Sequence, residues 1–193
     1  MGKTRLEAFS DGVIAILITI MVLELKTPDG HDWAALRALS PKFSAYLLSF
    51  VFLGIYWNNH HHMFHVTNRV TGAILWANLH LLFWLSLVPF ATAWMGETRV
   101  APVPTAVYGG VLLLSGVAFT VLVRVIIASQ GDHSPLEAAV GRDKKGWLSV
   151  LSYAVAIPIA FVQPWLSAAI YAIVALMWLI PDPRIEKHFD QLV

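Results

Sequence analysis

The stretch "RLEAFSDGVIAILITIMVLEL", residues 5–25, is an almost unbroken apolar run that carries a serine and an aspartate, Ser10 and Asp11, about two turns inside its basic end. Roughly 20 apolar residues suffice to cross a hydrocarbon core about 30 Å thick, so the run is long enough to span a membrane. It is too long for the core of a signal peptide and lacks a small-residue cleavage site, which predicts a retained first span. The rest of the chain has the same character: of 193 residues 58% are hydrophobic and only 13% are charged. A soluble domain would need a polar face on every surface helix, and long stretches here have none.

Five further segments meet the length requirement approximately, near Pro41 to Met63, Gly72 to Met95, Pro104 to Ser129, Gly146 to Val162 and Trp165 to Ile180. The expected fold is therefore all-α: a polytopic membrane protein of six transmembrane helices, with residues 1–193 forming one domain. "QPW", Gln163 to Trp165, reads as a tight hairpin turn between the last two spans. "KTPDGHDWAALRALSP" combines turn chemistry with a short amphipathic pattern and caps the bundle from outside. The longest polar stretch, Ser129 to Gly146, reads as a cytoplasmic loop. An even number of spans puts both termini on one side, and the excess of Lys and Arg on that side predicts cytoplasmic termini. Trp33, Trp94, Trp147, Trp165 and Trp178 fall near span ends, as interfacial anchors do. The net charge of +1, with scattered basic residues, argues against a nucleic-acid partner. With no cysteine, the chain has neither disulfides nor a thiolate metal site.

At about 100° per residue, Ile16, Thr19, Ile20 and Leu23 share one stripe of the first helix, whereas Asp11 lies about 140° around from Ile16. The carboxylate and the stripe thus face different neighbours. Charge at membrane depth is costly and is usually resolved by burial against a partner. Arg5 is about 9 Å away along the axis, so the better partners for Asp11 are Trp57, His60, His61, Asn78 and His80 on the second and third spans, at the same depth. A hydrogen-bonded polar network is the leading reading of this cluster. Metal binding through His61 and His65 at i, i+4 spacing and a proton relay through Asp11 and the histidines are the rivals. Glu24 borders the stripe at its outer end, where it raises the local cation concentration. "AVYGG", Ala106 to Gly110, is out of order for a potassium-channel filter and opens an apolar span. Its glycines, with Gly116, read as close-packing positions.

The pattern R-x-x-x-F-S-D, here Arg5, Phe9, Ser10 and Asp11, resembles the signature of the transmembrane protein 175 family, prokaryotic branch. "SFVFLGIYWNNHHHMF" and "NLHLLFWLSLVPF" in the second and third spans extend the likeness. The resemblance implies a potassium-selective cation channel in a bacterial cell membrane, a homotetramer in membrane lipid whose pore is lined by first helices. It places the hydrophobic constriction at Ile16, with Ile20 and Leu23 also facing the pore, and selectivity at Thr19. Arg5, Phe9, Ser10 and Asp11 are implied to brace the helices away from the axis. No cofactor is expected beyond the permeant potassium ions and other monovalent cations, and no enzymatic activity. The alternative is a proton-coupled transporter using Asp11 and the histidines; an integral membrane enzyme comes third, because nucleophile, phosphate loop and complete metal motif are all missing.

Overall fold

The computed structural model describes residues 2–130, 136 and 143–179, and among them helices are the only regular secondary structure. The first helix, α1, covers Lys3–Ile20 and tightens into a 3-10 turn over Met21–Glu24. A short helix α2, Trp33–Ala38, follows, capped by Asp32, whose Oδ1 accepts the Ala35 N–H at 2.8 Å. Next come α3 over Ser40–His65, α4 over Gly72–Ser86, α5 over Val88–Glu97 and α6 over Pro102–Gln130. The last two are α7, Lys144–Ile159, and α8, Pro164–Leu179.

Among the described residues three stretches are long and apolar enough to cross a membrane: Lys3–Glu24, Gly72–Glu97 and Pro102–Gln130. They make the chain an integral membrane protein. Expected spans two and five form α3 and α7, and α8 is a shorter apolar helix. Ile180 and most of the expected cytoplasmic loop lie outside the described residues.

Two expectations change in detail. The third span is not one continuous helix: it breaks at Leu87, with Pro89 in the first turn of α5. A proline there has no N–H to donate backwards and crowds the preceding turn, so α4 must stop and a new helix begin. The hairpin expected at "QPW" turns three residues earlier, over residues 160–162, and Pro164 starts α8 instead of merely ending a helix.

The bundle is layered around α1, which packs on α3, α4 and α5, while α6 joins α4 and α5 to α7 and α8. Its core runs through Ile14, Leu53, Phe64, Leu81, Leu85, Tyr108, Leu112 and Tyr171. Of the polar side chains inside it, Ser49 Oγ lies 2.6 Å from Thr92 Oγ1 and 2.9 Å from Tyr108 Oη, whereas the buried Ser115 Oγ meets no partner among the described residues. Trp178, at the end of α8, is half-buried and donates to Ser149 Oγ at 2.8 Å.

Of the three glycines expected to permit close packing, only Gly109 does so; a Cβ there would collide with the Tyr171 hydroxyl. Gly110 faces open space, and a Cβ on Gly116 would meet Tyr56 Oη at an ordinary 3.8 Å. The close approach that sequence reading overlooked is Gly96, where a Cβ would lie 2.9 Å from Lys42 Cα. Gly109→Val should therefore lower stability by about 1–3 kcal/mol, the usual cost of overpacking, and Gly110→Val should be far milder. Thermal unfolding of the two variants in detergent checks this order.

Candidate functional site

Helix α1 has one buried face and one bare one. Leu6, Ser10, Ile14, Leu17 and Met21 recur at intervals of three or four and are buried against α3, α4 and α5. On the other side Phe9, Ile16, Ile20 and Leu23 are exposed by 47%, 62%, 46% and 74%, and Thr19 is exposed with them. Large branched side chains left bare along a transmembrane helix face something outside the chain, which is lipid, a partner subunit or an axis.

What turns α1 this way is a directional hydrogen-bond chain. Ser10 Oγ–H donates to its own helix at Leu6 O, 2.9 Å away. Asn78 Nδ2 donates to Ser10 Oγ at 2.9 Å, and Asn78 Oδ1 lies 2.8 Å from His60 Nε2. Because the Asn78 amide nitrogen is spent on Ser10, its oxygen must accept, so His60 carries its proton on Nε2. Ser10, His60 and Asn78 are all buried. Three helices are thereby pinned at one depth by groups that have no alternative partner in an apolar surrounding.

The expected network around Asp11 thus divides in two. Asp11 stands apart from the buried chain and accepts from Trp57 Nε1 at 3.1 Å, at the partly exposed edge between α1 and α3. His61 stacks on Trp57, with ring centroids 6.3 Å apart. His80 belongs to neither part: Trp84 Nε1 donates to its Nε2 at 2.9 Å, one turn along α4. Of the four motif residues, Ser10 and Asp11 contact neighbouring helices. Arg5 and Phe9 stand exposed, and helical spacing sets them on the same side as Ile16. Sequence reading centred the cluster on the charged Asp11 and missed that Ser10 is its hub. The available signal was phase, since Ser10 lies four residues from both Leu6 and Ile14 on the buried face. A further contact, Lys3 Nζ to His65 O at 2.8 Å, ties the start of α1 to a carbonyl at the end of α3.

Thr19 donates its hydroxyl proton to its own helix, lying 3.0 Å from Ala15 O and 3.1 Å from Ile16 O. Its oxygen lone pairs are then left to the bare side. Glu24 is exposed at the outer end, in the 3-10 turn. Close by, Lys42 and Glu97 form a salt bridge of 3.1 Å between the start of α3 and the end of α5. Among the described residues no group of three His, Cys, Asp or Glu side chains is arranged to hold a metal ion.

Residues 5–89 match the family model described as the endosomal/lysosomal potassium channel TMEM175. Over 191 residues the chain is 54% identical to a potassium channel of Chryseobacterium sp. (strain P1-3), covering 99% of this chain and 100% of that one. It is 36% identical over 103 residues to the human endosomal/lysosomal proton channel TMEM175, a match that takes in 47% of this chain and 20% of that protein. The crystal structure of a lysosomal potassium-selective channel TMEM175 homolog from Chamaesiphon minutus superposes with a TM-score of 0.80 at 31% identity, covering 92% of this chain and 96% of that one.

The division of the polar cluster ranks two substitutions. Asn78→Ala strands the buried His60 donor and should cost about 1–3 kcal/mol, whereas Asp11→Ala removes a partner from a half-exposed indole and should cost less. Chemical denaturation followed by circular dichroism tests the ranking; a larger loss in Asp11→Ala would restore the carboxylate as hub.

Proposed function

Since the chain belongs to the TMEM175 family of channels, we propose that it is a potassium-selective channel, a homotetramer with four α1 helices around the ion path. The observation that carries the reading is the bare face of α1. One chain cannot enclose a pore with one helix, and four copies turn Ile16, Ile20 and Leu23 into stacked apolar rings. Such rings exclude water and oppose an ion until they widen. Thr19, one turn from Ile16, adds four hydroxyl oxygens that have already given their protons to the backbone. They meet a cation as acceptors, a chemistry that suits the weakly held shell of potassium. Glu24 concentrates cations at the outer mouth. No step needs a cofactor or catalytic group, and conduction is passive. The chain sits in a bacterial cell membrane, with six spans and cytoplasmic termini.

Residues 106–110 lie inside α6, so no extended carbonyl-lined loop of the ordinary filter type is formed there. Selectivity falls to the side chains of α1. The transporter alternative has less support: Asp11 engages Trp57, and the chain from His60 to Ser10 runs across the bundle, not along it.

Protein reconstituted into potassium-loaded liposomes should pass potassium faster than sodium and without saturation. Thr19→Ala should reduce that preference, and Ile16→Asn should raise the leak of both ions. Unchanged flux in both variants would overturn the assignment. A pH-sensitive dye in the same vesicles measures the proton share of the current, the activity named for the human relative.

A further inference from the structure

Among the bare helical faces besides that of α1, two belong to the helices packed directly on it. Helix α3 is packed on one side by α1, α5 and α8, and turns Phe50, Asn58 and His61 outward on the other. Helix α4 is packed on one side by α1 and α6, and α4 with α5 turns His80, Phe83 and Phe90 outward. With α1 at an axis, these two faces are the side walls of a wedge.

The hydrogen bonding of His80 decides between lipid and protein as their cover. Its Nε2 accepts from Trp84, so in the neutral ring the proton sits on Nδ1, a donor on the bare side. His80 lies eight residues into α4, about 12 Å along the axis. That is inside the hydrocarbon layer if the rod from Gly72 to Glu97, about 39 Å long, is centred on a core of about 30 Å. Lipid tails offer such a donor nothing. Asn58, exposed on α3, has a carbonyl that can accept it.

Depth brings these groups together. Lys42 meets Glu97, Ser49 meets Thr92 and His60 meets Asn78 within one chain, so the antiparallel rods are in a known register. Phe50 is level with Phe90 to within a residue, and Asn58 is level with His80. Rotation about an axis normal to the membrane leaves depth unchanged, so residues that are level in one subunit are level across a boundary between subunits.

We infer that the ring closes head to tail, the α3 face of each subunit covering the α4–α5 face of the next, with His80 Nδ1–H donating to Asn58 Oδ1 across the boundary. The inference rests on the tetrameric reading above. It specifies a heterologous contact, which closes on itself only when the rotation per subunit fits a ring. Each wall supplies aromatic bulk at the outer half and one polar pairing at the inner half. The polar pairing fixes the register that apolar packing alone would leave free to slide.

The absence of cysteine from the chain makes crosslinking direct. Chains carrying Phe50→Cys alone and chains carrying Phe90→Cys alone, distinguished by tags, are co-expressed, purified in mild detergent and treated with a short bis-maleimide. Asn58→Cys and His80→Cys form a second, independent pair, and the apolar pair carries the test if that one fails to assemble. The expected result is a crosslinked species containing both tags, with either single variant alone remaining uncrosslinked. Native mass measurement runs beside it. A tetramer by mass with neither pair crosslinking overturns this interface and leaves the channel reading standing. A monomer by mass overturns both.

Discussion

The hydrogen bond from Asn78 to Ser10 fixes the rotation of α1 about its own axis, and nearly everything else follows from that rotation. A helix in an apolar bundle has little to stop it turning: Leu, Ile and Val pack against neighbours almost equally well over a range of angles. A buried serine and asparagine remove that freedom, because any other angle leaves their donors and acceptors unmatched. With Ser10 turned inward to Asn78, Leu6, Ile14, Leu17 and Met21 fall into the core. Ile16, Ile20 and Leu23 are then obliged to face away from it. The functional surface is what remains once the polar chain is satisfied.

The same logic separates what binds α1 from what shapes the rest of the bundle. Ser49, Thr92 and Tyr108 form a second buried polar cluster, joining α3, α5 and α6 without touching α1. The break at Leu87 lies between the two clusters, with Asn78 below it on α4 and Thr92 above it on α5. Each half of the third rod therefore has its own anchor. A single straight helix would have to bring both polar groups to their partners with one orientation; two helices do so independently.

Much of this was legible in the sequence, and the exceptions have physical causes. Helical phase alone separated Asp11 from the stripe of Ile16, Thr19, Ile20 and Leu23, because 3.6 residues per turn is a local property. The length and apolarity of the spans follow from composition in the same way. Partner choice is not local: Asp11, His61 and His80 lie at a suitable depth, but only the rotations of α3 and α4 determine which side chains meet. His80 finds Trp84 on its own helix, and His60 takes the place at Asn78. Charge also misdirected attention, since a carboxylate in a span demands explanation and a serine does not. Gly109 and Gly110 are indistinguishable in sequence; whether Tyr171 stands opposite is a matter of tertiary placement.

The narrowing of α1 into a 3-10 turn over Met21–Glu24 has its own geometric effect. In an α-helix, residues three apart are offset by about 60° around the axis, whereas in a 3-10 helix, with three residues per turn, they stand almost directly above one another. Where the winding tightens, Leu23 is brought toward the line of Ile20 instead of spiralling away from it. In a fourfold arrangement the last two apolar rings would sit in eclipse, forming a straight dry column, and rewinding one turn to the α form would stagger them like the steps of a spiral stair.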